Sequence, residues 1–168
     1  FILFFTIPFC ILFSQKEILT EDIFLNRTFS QDWVFGLNSM NDGIHYTTLE
    51  SGDTTRIEKY NYETGKQVLT VLNSAELELT FNGYVFNNDE TLILLEAESE
   101  KIYRHSKQSI YYLYNTDTKI TTKISDRKIR LPEFSPNSKH ISYIYKNNIY
   151  LYNIEDATTK RITHKGKL

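Results

Sequence analysis

Apolar and polar residues alternate along most of this chain in short runs, separated by clusters of Asn, Asp, Gly, Ser and Thr. A period of two predicts half-buried β-strands, and the clusters predict turns. Trp33-Val34-Phe35 and Ile44 to Leu49 read as strands on either side of a turn at Asn41-Asp42-Gly43. Thr91 to Leu95 and Ile141 to Tyr145 are mostly apolar, the pattern of strands covered on both faces. "LTEDIF" (Leu19 to Phe24) is the exception and predicts one helical turn. Thr20 is placed to cap it, with Glu21 and Asp22 where the helix dipole favours acids.

The pattern then repeats. One unit reads "YVFNNDETLILLEAE" and "SIYYLYNTDTKITTKIS"; the next reads "PEFSPNSKHISYIY" and "NIYLYNIEDATTKRIT". Phe86-Asn87-Asn88-Asp89-Glu90 aligns with Phe134-Ser135-Pro136-Asn137-Ser138, and Tyr112-Leu113-Tyr114-Asn115 with Tyr150-Leu151-Tyr152-Asn153. A degenerate first unit, "GIHYTTLE" and "RIEKYNYETGKQVLTVL", shares Tyr60-Asn61 and the turn at Glu63-Thr64-Gly65. Each unit predicts four antiparallel strands in roughly 40–50 residues, so the fold class is all-β, a β-propeller of four-stranded blades. A β-sandwich of this length would leave the repeat unexplained. Three blades do not close a ring of about 4–8, so further blades are expected after Leu168.

Composition agrees: 12 Tyr and 11 Phe among 168 residues suit strands that pack one ring face and keep a hydroxyl wet. A net charge of −2 with scattered basic residues gives no reason to expect nucleic acid as a partner. Phe1 to Phe13 is apolar apart from Thr6, and Ser14 precedes polar Gln15-Lys16-Glu17. This predicts part of an export signal over residues 1–14, cleaved after Ser14, with the propeller portion over 15–168. A buried N-terminal strand and an uncleaved anchor are the alternatives. Cys10, the single cysteine, lies in that segment, so the remainder has no disulfide, no thiolate metal site and no cysteine nucleophile. An exported, cysteine-free β-domain suggests a bacterial periplasmic, envelope or extracellular location. Asn26-Arg27-Thr28 fits a glycosylation sequon, which matters only in a eukaryotic host.

No G-x-S-x-G, H-E-x-x-H, P-loop or G-x-G-x-x-G is present. His45, His105, His140 and His164 are dispersed, so no metal site and no cofactor is expected. "EAESEKIYRHSKQSIYYLYN" (Glu96 to Asn115) predicts a hairpin with Arg104 near its tip. Its Glu96, Glu98 and Glu100 are placed either to pair with Arg104 or to be solvated. Phe134 to Lys139 is a tight turn in which Pro136 fixes φ and Asn137 tolerates the left-handed region.

That turn resembles the F-S-P-D-G-K repeat of TolB-like proteins and the prolyl oligopeptidase family, with Ser138 where Gly is usual. "LILLEAESEKIYRHSKQSIYYLYN" is similar to the segment of the dipeptidyl-peptidase IV family in which a strand ending L-L-E leads to R-H-S and a Tyr strand. "ILTEDIF" with "RTFS" resembles that family's start, and "PEFSPNSKHISYIYKNNIYLYN" its W-S-P-x-G run.

This resemblance implies a two-domain serine peptidase that releases N-terminal X-Pro or X-Ala dipeptides. An eight-bladed propeller would recognise substrate, and a C-terminal α/β-hydrolase domain, absent from residues 1–168, would carry the triad. No catalytic residue is then expected in this chain, and residues 1–168 alone are expected to be inactive. By position, Arg104 would bind the substrate backbone carbonyl, with His105 beside it as a further substrate-binding or packing residue. The two adjacent glutamates that bind the substrate amine in the family have no counterpart in this chain and are expected beyond Leu168. The implied partners are peptides with a free N-terminus, the hydrolase domain and a second copy in a homodimer. Tyr111, Tyr112, Tyr114, Tyr150 and Tyr152 are expected to pack blades. The competing reading is a TolB-like, non-enzymatic propeller that binds envelope proteins; a family member without its triad serine is a third.

Overall fold

The computed structural model describes residues 17–31 and 33–166. The predicted export signal and Cys10 lie outside them. The chain divides into an N-terminal unit ending at Trp33 and a body that begins at Val34.

In the N-terminal unit, α1 (Thr20–Phe24) is the predicted helical turn. Its N-cap is Leu19 rather than Thr20. No hydroxyl caps it; Asp22 reaches back to the Leu19 backbone N–H at 3.2 Å. The acids in the first turn offset the positive helix end.

The body consists of three four-stranded antiparallel meanders. The first holds β1 (Asn38–Ser39), β2 (His45–Ser51), β3 (Thr55–Asn61) and β4 (Gln67–Asn73). The second holds β5 (Gly83–Phe86), β6 (Leu92–Tyr103), β7 (Ser106–Asn115) and β8 (Thr121–Lys123). The third holds β9 (Arg130–Phe134), β10 (His140–Tyr145), β11 (Asn148–Asn153) and β12 (Thr159–Arg161). These are propeller blades, as the repeat predicts.

The second blade is the keystone because β6 buries both faces. Ile93 and Leu95 join Ile57, Leu72, Phe81, Tyr84 and Tyr114 in one core. Leu92 and Leu94 join Tyr111, Leu113, Ile141, Tyr143 and Tyr152 in the other. Alternation along one strand therefore sorts side chains between two blade interfaces. The tyrosines at 111, 112, 114, 150 and 152 pack these interfaces, as expected. In β10 only alternate residues, Ile141 and Tyr143, are fully buried, so that strand is covered on one face rather than the predicted two.

Each blade uses the same first hairpin turn. Gly43 N–H donates to Met40 O, Glu90 N–H to Asn87 O and Ser138 N–H to Ser135 O. The donor residue is left-handed each time, with φ of 67°, 61° and 55°. The left-handed position is thus Ser138, not Asn137, which explains physically why glycine suits it. The third hairpin repeats too. Asn61, Asn115 and Asn153 each accept, through their side-chain oxygen, a backbone N–H from the following turn. Gly65, Lys119 and Ala157 then take positive φ.

The predicted strand at Trp33 to Phe35 does not form. Phe35 accepts one bond from Leu49 N–H, and pairing resumes only at Asn38. Gly36 lies between, at φ +60°, and a Cβ there would meet Leu49 Cβ at 2.8 Å. Its carbonyl accepts the buried Tyr84 hydroxyl at 2.6 Å, which fixes the bend.

We expect Ser138→Gly to stabilise the protein by about 0.5–1 kcal/mol by relieving the left-handed strain. Gly43→Ala should destabilise it by about 1 kcal/mol. Urea denaturation midpoints read both.

Candidate functional site

The hairpin of β6 and β7 is the longest in the chain, and its outer half leaves the blade. From Leu92↔Asn115 to Ala97↔Ile110 the register is regular; it then shifts between Ala97 and Glu100 and again between Lys101 and Tyr103. The first irregularity sets Glu98 and Ser99 against the single residue Ser109, with Glu98 at φ +48°. The second leaves Ile102 as an extra residue before the Tyr103↔Ser106 pair. Two bulges bend and twist a ladder and re-aim what lies beyond them. Residues 98–107 are all exposed and form an arm.

Arg104 and His105 make up the two-residue turn at the arm's tip. Both are exposed, so the expected packing role of His105 does not occur. Tyr103 beside them is 72% exposed, which makes the tip amphipathic rather than purely charged. Among the described residues Arg104 has no carboxylate within ion-pair distance, although three glutamates precede it on the same strand.

The glutamates have other partners. Glu96 is buried and accepts hydrogen bonds from Ser99 Oγ and Ser109 Oγ, each at 2.8 Å. Lys107 Nζ lies 2.7 Å from the same carboxylate. Glu100 pairs with Lys128 at 3.0 Å. Glu98 occupies the bulge and is exposed. The pairing of Arg104 with a glutamate, open in the sequence, is therefore not what the structure holds. Lys107 and Lys128 neutralise Glu96 and Glu100, and the arginine charge stays at the tip. Lys107 carries no motif; only the register shift brings it to Glu96.

Burial by itself would raise the Glu96 pKa, but the Lys107, Ser109 and Ser99 hydrogen bonds outweigh it and hold the carboxyl below its ordinary 4.5. Burial, together with the nearby Glu96 charge, pushes Tyr111 up to about 12. Among the described residues no three His, Cys, Asp or Glu side chains converge to hold a metal.

Residues 87–168, which include the arm, match the sequence model described as the dipeptidyl peptidase IV (DPP IV) N-terminal region. The match, the relatives and the solved structure together support kinship with the N-terminal region of the dipeptidyl peptidase IV family. It is 27% identical over 160 residues to prolyl endopeptidase FAP of Bos taurus, covering 92% of this chain and 19% of that protein. It is 30% identical over 154 residues to dipeptidyl aminopeptidase B of Saccharomyces cerevisiae, covering 91% and 16%. The crystal structure of Porphyromonas gingivalis dipeptidyl peptidase 4 superposes with a TM-score of 0.74 at 27% identity, over 93% of this chain and 23% of that one. TolB from Acinetobacter baumannii superposes at 0.54 with 17% identity, over 80% and 33%, a likeness of fold alone. The chain thus spans about a fifth of the length of these curated relatives.

A carboxyl whose folded pKa lies below its unfolded value stabilises the fold above the unfolded value and loses that contribution as pH falls through the folded one. Stability should therefore drop as pH falls below 4.5, and Glu96→Gln should flatten that slope. Denaturant titrations at a series of acid pH values measure it.

Proposed function

We propose that this chain is the substrate-recognition portion of an exported, serine-type dipeptidyl peptidase that releases X-Pro or X-Ala dipeptides. The observation that carries this reading is Arg104: an exposed guanidinium with no carboxylate partner among the described residues, at the tip of a twice-bulged arm, inside the region matched to the family. Residues 1–14 serve as the export signal. The hydrolytic triad belongs to an α/β-hydrolase domain elsewhere in the full-length protein.

Arg104 suits a clamp on a peptide carbonyl. Guanidinium is always charged and offers several donors in a fixed plane. An internal carboxylate partner would compete with substrate for those donors, and the pairing of Glu96 and Glu100 with lysines occupies two of the three acids that precede Arg104. His105, exposed beside it, adds a second polar group at the same tip. One charged hydrogen bond contributes about 1.5–3 kcal/mol. That orients a dipeptide but performs no bond cleavage.

In the full-length protein, Arg104→Ala should raise KM for a Gly-Pro chromogenic substrate by roughly ten- to a hundredfold with little change in kcat. Wild-type kinetics would return Arg104 to an ordinary surface charge. The 168-residue chain expressed alone should release no chromophore. Turnover by that chain would overturn the placement of the triad outside it.

A further inference from the structure

An arm that leaves its blade through a bulge can aim a tip residue only if the bulge is held. The structure assigns that task to Glu96 and Lys107: we propose that their pair positions Arg104, an inference that rests on the carbonyl-clamp reading of that residue. Glu96 sits at the last regular stretch of β6, paired with Tyr111 on one side and with Gly83 of β5 on the other. Its carboxylate receives donors from three places around the irregularity. Ser99 lies in the bulge, Ser109 lies opposite it on β7, and Lys107 lies beyond it, in the arm. One buried acid therefore joins the blade to both strands of the arm.

Neighbouring groups lock this arrangement. Asn82 and Ser99 bond each other through their side chains at 3.0 and 3.1 Å, and Asn82 N–H donates to the Glu96 carbonyl at 2.8 Å. Ser109 exchanges backbone bonds with Ile129 at 3.0 and 2.9 Å, which ties the base of the arm to the chain entering the third blade. Gly83 supplies the space: a Cβ there would stand 2.9 Å from Glu96 Oε2. The glycine has an ordinary backbone conformation, so room for the carboxylate is what calls for it.

The pair's exposure fits positioning better than stability. The Glu96 side chain is 10% exposed and that of Lys107 55%. A half-exposed lysine adds little to global stability because solvent screens it. It can still select one arm conformation, because loss of its charge leaves a buried carboxylate short of a donor. Arg104 lies three residues from Lys107 on the same strand-turn path, so little chain separates anchor from tip.

The test is a double-mutant cycle in the full-length protein, with steady-state kinetics on a Gly-Pro chromogenic substrate and hydrogen exchange over residues 98–107. Lys107→Met should raise KM about tenfold, as expected for a displaced positioning group, with kcat within about twofold of wild type. Lys107→Arg should restore KM. Gly83→Ala, which displaces the carboxylate sterically, should mimic Lys107→Met. On an Arg104→Ala background, Lys107→Met should add nothing further, since the group being aimed is gone. Exchange in the arm should quicken by about tenfold in Lys107→Met while the blade strands keep their protection. Multiplicative effects on KM, or arm exchange at the wild-type rate, would overturn the positioning role. Arg104→Ala at wild-type KM would instead defeat the clamp reading, and exchange would then judge the anchor independently.

Discussion

The structure depends on one strand being apolar on both faces. Leu92 to Leu95 lies between two cores, and each residue enters the core opposite to that of its neighbour. A single sheet with one wet face would not need such a run. Stacked blades do, because the middle blade has no free face. Side-chain period two then fixes the register of β6 against β5 and β7, since a slip of one residue would exchange the contents of the two cores. The firmness of this packing is what lets the same strand continue into an arm.

The character of β6 changes at Glu96. Up to Leu95 burial is apolar; at Glu96 it becomes ionic, and from Glu98 the chain is exposed. A carboxylate at that boundary is stable only because three donors meet it. The result is a division of charge. Lysines neutralise the acids at the base and side of the arm, while the guanidinium at the tip is left available.

Much of this was legible in the residues. The repeated Phe-turn and Tyr-Leu-Tyr-Asn segments indicated blades because hairpins with equal hydrogen-bond demands reuse equal residues. Asn61, Asn115 and Asn153 do the same work in three places. Less legible were features that depend on where a chain bends. Trp33 to Phe35 has the composition of a strand, yet Gly36 turns away beneath Tyr84, a residue 48 positions later. Ser138, not Asn137, takes the left-handed conformation, because the position in the turn outranks intrinsic preference.

The sequence by itself determined the strand count, the blade order and the location of Arg104 at a hairpin tip, since all three follow from local alternation and turn chemistry. Tertiary structure alone decided which charges meet. Glu96, Glu98 and Glu100 are equivalent acids on paper. The first bulge lets Glu96 meet Lys107 across the hairpin, while Glu100 meets Lys128 on the segment between β8 and β9. Side-chain partnership across a bulged hairpin depends on accumulated register, which no single residue carries and only the folded ladder sets.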